Sequence, residues 1–133
     1  MITTGKVTAI IANLVTIQVD GPVAQNEICY IELDNARLLA EVIKVSGDKA
    51  FVQVFESTRG LHTGAKAVFQ NHMLEVSLGP GILSSNYDGL QNNLATMDGL
   101  FLKRGEQTSP LDLEKVWEFT PLVDKGAKVI AAD

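Results

Sequence analysis

Short runs rich in valine, isoleucine, threonine and phenylalanine, broken by turn residues about every ten positions, predict an all-β chain. A small sheet left open would expose unpaired edges, so these closely connected runs favour a small closed six-stranded barrel over residues 1–70. The texture changes after Gln70, and residues 71–133 read as an incomplete, mostly β or irregular extension.

The first run, residues 6–12, reverses tightly at Asn13 into residues 14–19, where Val15, Ile17 and Val19 fall on one face. Asp20-Gly21-Pro22 ends that strand, because proline lacks the amide a ladder needs and glycine supplies turn torsions. Residues 27–33 alternate, with Ile28, Tyr30 and Glu32 on one side and Cys29, Ile31 and Leu33 on the other. After Asp34-Asn35 come residues 36–45 and then 50–55, joined by Ser46-Gly47-Asp48-Lys49 in a hairpin-like link. In the latter strand Val52 and Val54 oppose Phe51 and Phe55. A loop over residues 56–64 leads to the last strand of the barrel, residues 65–69.

Residues 73–78 are a further strand candidate, Gly79-Pro80-Gly81 breaks regular structure, and the stretch to Asp98 has room for one helical turn. Residues 99–104 form another short apolar run ending in charge. The remainder holds a polar loop, Trp117 and Phe119 alternating across a possible strand, and an apolar run at residues 128–132 that looks like a strand cut short.

At 133 residues the chain accommodates one domain, or a small one with part of another. No apolar stretch nears the ~20 residues of a membrane span, so direct membrane insertion is not expected. The net charge of -5 offers no attraction to phosphate backbones or anionic lipid, which argues against nucleic acid as a partner. Residues 1–6 lack a secretory pattern and Cys29 is the single cysteine, so a cytoplasmic setting is expected.

The residues offer little chemistry. Gly79-Pro80-Gly81-Ile82-Leu83-Ser84-Ser85 lacks the second glycine after four residues, followed by lysine and then Ser or Thr, that a phosphate loop needs, and the nearest downstream lysine is Lys103. His62 and His72 stand ten positions apart with no cysteine near, unlike a zinc site. Cys29 has no basic neighbour in sequence to favour its thiolate. The carboxylates Glu41, Asp48, Glu56 and Asp88 are scattered, and no spacing pairs two of them for acid–base work. Trp117 and Phe119 fit core or interface anchors better than a binding platform. No catalytic, cofactor-binding or metal-binding residue is therefore assigned.

Two other readings make their own demands. A nucleic-acid-binding barrel of the OB type interleaves basic and aromatic residues on one face, whereas these strands carry Glu27, Glu32 and Glu41 with isolated lysines. A lipoyl-type carrier module displays a lysine at a hairpin tip; Lys49 is near one, but its flanks Asp48 and Ala50 do not resemble a modification site.

The string Gly47-Asp48-Lys49-Ala50-Phe51-Val52-Gln53-Val54-Phe55-Glu56-Ser57-Thr58-Arg59-Gly60-Leu61 resembles a segment of V/A-type ATPase catalytic subunits, the A subunits, of a bacterial branch. Leu74-Glu75-Val76-Ser77-Leu78-Gly79-Pro80-Gly81-Ile82-Leu83, then Tyr87-Asp88-Gly89-Leu90-Gln91 with Leu94, is similar to the passage from that family's amino-terminal barrel into its nucleotide-binding domain. Phe101-Leu102-Lys103-Arg104-Gly105, then Trp117-Glu118-Phe119-Thr120-Pro121 with Gly126 and Val129, resembles the start of an insertion that sets these catalytic subunits apart from the regulatory B subunits and from F-type relatives. Asn92-Asn93 and Ala12-Asn13 depart from the family, where many members carry Arg-Pro and Gly-Pro.

The resemblance implies a barrel over 1–70, the start of the nucleotide-binding domain over 71–104 and the start of the insertion over 105–133. It implies a role in assembling the A/B ring of an ion-transporting ATPase or ATP synthase, peripheral on the cytoplasmic membrane face. The regulatory B subunit would be a partner, with the peripheral stalk reached through the insertion. The family's phosphate loop, catalytic glutamate and arginine contacts would lie beyond Asp133. MgATP would then be a ligand of the full-length parent, whose enzyme activity this chain would lack on its own.

Overall fold

The computed structural model describes residues 2–34, 36–97, 104–105 and 107–130. Six strands form the body: β1 (Thr4–Ile11), β2 (Leu14–Val19), β3 (Ile28–Leu33), β4 (Ala36–Ser46), β5 (Lys49–Val54) and β6 (Lys66–Phe69). No boundary departs by more than two residues from the run that predicts it. All neighbours pair antiparallel, and the cyclic order β1-β2-β5-β4-β3-β6 closes a barrel.

The alternation seen in the sequence fills the interior. Val15 and Ile17 of β2, Cys29, Ile31 and Leu33 of β3, and Ala50, Val52 and Val54 of β5 all point inward and are buried. Residue sizes are matched around the wall. Phe69 lies opposite Cys29, which lies opposite Ala40, so one large ring enters the interior across from two small side chains. In the adjacent row the order inverts, with small Ala67 beside Ile31 and Leu38. Such a barrel has room for side chains only, and losing one large buried group such as Phe69 would cost about 3–5 kcal/mol.

Two local irregularities bend the strands. The register slips between Val7 and Ala9 on β1 and between Val42 and Lys44 on β4, and these bulges add the twist and curvature a closed sheet requires. Gly5 answers a tighter constraint: a Cβ there would sit 2.6 Å from both the Gln18 carbonyl oxygen and Ile17 Cγ2. The end of β2 is clamped to β1 by Asp20, which accepts from the Thr4 amide at 2.8 Å and from the Thr4 hydroxyl at 2.5 Å. Those hydrogen bonds from Thr4 hold the Asp20 carboxyl below its ordinary range.

Beyond β6 the outcome differs from the expectation. Residues 73–78 form no strand, although they alternate. Their apolar side chains Leu74, Val76 and Leu78 are all exposed and find no sheet face to cover. A side chain takes the place of a ladder at Ser77, whose amide donates to Gln91 Oε1 and whose carbonyl accepts from Gln91 Nε2, both at 2.7 Å. The single helical turn is a 3-10 turn at Pro80–Ile82, on the segment expected to break regular structure. Residues 117–119 and 128–130 form no strand either, while residues 131–132 of the last apolar run lie outside the described residues. Leu113, Val116, Phe119 and Leu122 are 83–96% exposed, so the tail builds no core of its own. Of the apolar run over 99–104 only Arg104 is described.

Two outcomes follow for the barrel. Ala12 opens the β1–β2 turn at φ 54°, a conformation that costs an L-residue about 1–2 kcal/mol. Ala12→Gly should raise stability by on the order of 0.5–1 kcal/mol after the added freedom of the unfolded chain is subtracted, as read from urea unfolding. For Asp20 the folded carboxyl is the stronger acid, so its contribution is present above the unfolded carboxyl range, near pH 4, and is lost as pH falls below it. Asp20→Asn should therefore lose less stability than the parent between pH 6 and pH 2, checked by thermal unfolding across that range.

Candidate functional site

Residues 71–97 with 104–105 and 107–110 fold back over the outside of the barrel, and a groove of about 520 Å³ lies between them. Its floor is the outward face of β3 and β4. Ile28 and Leu39 stand outside the interior cluster yet are only 2% and 4% exposed, because the extension covers them. Its far wall is a small reversal over residues 86–94, in which Leu94 donates to the Asn86 carbonyl at 3.0 Å and Tyr87 bridges Asn93.

Polar side chains build that wall. Asp88 accepts from the amides of Leu90 and Asn92, at 2.9 and 2.8 Å, and from the Asn92 side-chain amide at 2.8 Å. Burial pushes the Asp88 carboxyl up, but those hydrogen bonds outweigh it and hold the group below its ordinary range. Asn92, 6% exposed, turns its own carbonyl oxygen to the Thr108 amide at 3.0 Å. Every one of these groups is engaged in holding backbone.

Glu27 has the same kind of role where the barrel meets the extension. It is 5% exposed and accepts the Asn71 amide at 2.6 Å and the Ala24 amide at 2.9 Å. Nearby, β3 is lengthened on that side, as Gln70 donates to the Ile28 carbonyl and Ile28 to the His72 carbonyl, each at 2.9 Å. Sequence reasoning placed Glu27 among the strand carboxylates only. The Asn26-Glu27 step before an apolar alternation is a weak signal of it, since Asn26 takes φ 66° and turns the chain there.

The other residues weighed from the sequence stay apart. Gly79–Ser85 shapes a turn in which Ser85 Oγ donates to the Gly81 carbonyl at 3.2 Å. His62 and His72 are exposed, each with Nδ1 against the carbonyl of the next residue, at 2.9 and 2.8 Å. Among the described residues no group of three from His, Cys, Asp and Glu comes together. Burial, with Glu27 adding to it, pushes the Cys29 thiol up to about 12, so it packs as an apolar side chain. Glu41 pairs in register with Gln53 and is half-buried, while Asp48 is exposed in the β4–β5 turn beside exposed Lys49. Glu56 receives the Gly105 amide at 2.5 Å.

Three of the aromatic rings have cations over their faces: Arg37 lies 4.7 Å from Tyr30, Lys44 lies 5.8 Å from Phe51 and Lys115 lies 4.4 Å from Trp117. A stacking base would have to displace those cations. Among the described residues the geometry joins one length of chain to another and aims no nucleophile at a base.

Comparison with known proteins follows the same division. Residues 7–71 match the model of the ATP synthase alpha/beta family, beta-barrel domain. The chain is similar to the V-type ATP synthase alpha chain of Borrelia hermsii, 46% identical over 132 residues that cover 97% of this chain and 23% of the relative. It is 44% identical over 136 residues to that of Borrelia garinii subsp. bavariensis, covering 100% of this chain and 24% of the relative. With that of Chlamydia trachomatis serovar L2 it shares 42% over 133 residues, covering 98% and 22%. The chain thus spans about a quarter of the length of the curated relatives it matches.

Removing the Glu27 carboxylate tests the junction. Glu27→Gln should leave one of the two amides Glu27 accepts unpaired and cost about 1–3 kcal/mol, and Glu27→Ala should cost more, both measured by urea unfolding at pH 7.

Proposed function

The chain belongs to the ATP synthase alpha/beta family, whose beta-barrel domain it carries, and is homologous along its whole length to the amino-terminal part of V-type ATP synthase alpha chains; on that premise we propose that it is the portion of such a chain that serves assembly. In this reading the barrel over 1–70 packs beside the barrels of its neighbours, the regulatory B subunits, in an A/B ring. Residues 71–104 begin the nucleotide-binding domain, and residues 105–133 begin an insertion that meets the peripheral stalk.

The whole protein would bind MgATP and couple its hydrolysis or synthesis to proton or sodium transport, on the cytoplasmic face of the membrane. Among the described residues no helix is long and apolar enough to cross a membrane. The single observation that carries the reading is that alignments at 42–46% identity cover 97–100% of the chain, so that barrel, extension and tail are all included. Two features of the surface support it. Ile11, Ile43, Val45 and Phe55 leave apolar contact area on the outer wall of a rigid closed sheet, as docking of a neighbour requires. The exposed apolar side chains of the tail call for burial against a larger body.

The test has two arms. Mixed with the regulatory B subunit of a V-type ATP synthase, the chain should form a complex by native mass spectrometry, and titrated with MgATP to millimolar concentration it should give no saturable heat by itself. Saturable nucleotide binding by these 133 residues, or failure to associate with the B subunit while the barrel is folded, would refute the assignment.

A further inference from the structure

Two attachments of the extension to the barrel stand out among the described residues. The first is the covalent passage at residues 70–72, where Asn71 takes φ 60° and its amide is held by Glu27. The second is made by residues distant in sequence. The Gly105 amide donates to the Glu56 carboxylate at 2.5 Å, and the Arg104 guanidinium donates to the backbone carbonyls of Ser57, at 3.4 Å, and Arg59. Gly105 suits this contact for two reasons: it takes φ 75°, and a Cβ there would stand 3.0 Å from the Cβ of Ala36.

The same length of chain then reaches the 86–94 reversal. Thr108 donates its amide to Asn92 and accepts the Asn93 amide on Oγ1 at 2.7 Å, while the Tyr87 hydroxyl donates to the Pro110 carbonyl at 2.8 Å. Between the two ends, Gln107 donates to the Tyr30 hydroxyl on the barrel wall at 3.4 Å.

We propose that residues 104–105 and 107–110 are a two-ended clasp: one end grips the barrel through Glu56 and the Ser57 and Arg59 carbonyls, the other grips the 86–94 reversal through Asn92 and Tyr87. With both ends closed, barrel and extension move as one body and the groove keeps its shape. Releasing either end lets the extension swing about residues 70–72. The observations favour a reversible device over permanent packing, because the grip on the barrel among the described residues is polar, made by the Glu56 carboxylate and the Ser57 and Arg59 carbonyls. Exposed and part-buried hydrogen bonds such as these are also ones that water or a competing partner can replace locally without unfolding a core.

Residue-resolved amide exchange on the whole chain tests the clasp. Glu56→Ala should speed exchange about tenfold at Gly105, and with it at Asn93, Thr108 and Ser77, while Val15 and Val52 in the barrel keep the parent rate. Asn92→Ala, at the opposite end, should speed exchange at Thr108 and also at Gly105, which it does not touch. Acceleration confined to the amide next to each substitution would overturn the proposal. So would equal acceleration of the barrel amides, which would mean global loosening.

Discussion

Four residues of β6 carry two ladders, and the rest of the molecule depends on them. Thr4 to Lys6 pair along one side of the strand and Cys29 to Ile31 along the other, so Lys66–Phe69 is what turns a five-stranded sheet into a barrel. Without it, β1 and β3 would each present free amides and carbonyls to solvent. Closure also sets the interior: the rows that meet at β6 place Phe69 and Ala67 where the opposing side chains are small and large respectively. Hydrogen bonding and volume are therefore satisfied by the same short segment, which suits a small domain with little core to spare.

The extension shows the opposite strategy. Among the described residues it has no continuous ladder, and its backbone is held by side chains: Gln91 at Ser77, Asp88 and Asn92 in the reversal, Thr108 at Asn93, Glu27 at Asn71. Each such bond is worth about 1 kcal/mol net, so order here comes from many small contributions, with some burial of Ile28 and Leu39. Barrel and extension thus differ in how their backbone is satisfied, and Leu113, Val116, Phe119 and Leu122 of the tail stay 83–96% exposed.

Alternation made the strands legible. Val15 and Ile17, or Cys29 with Ile31 and Leu33, recur at period two because one face of each strand is buried. The same period misled at residues 73–78, where Leu74, Val76 and Leu78 alternate as well as any barrel strand does. Alternation states only that a segment could cover a sheet, and among the described residues no partner strand lies alongside to form one. Of the groove, the sequence showed a glycine-rich turn and isolated carboxylates; it did not show that Glu27 ends up buried or that Asn92 would bind Thr108, since those pairings span 44 and 16 positions.

What local chemistry governs could thus be read in advance: strand period, turn residues, the lack of a phosphate loop in residues 1–133 and the family resemblance carried by separated blocks. Tertiary structure alone decided the rest. Closure through β6, the choice of Ile28 and Leu39 as the outer face to be covered, and the meeting of Glu56 with Gly105 all depend on where distant segments arrive in space. One-dimensional order does not encode that arrival directly, because a side chain's burial and its hydrogen-bond partner are properties of the packed whole.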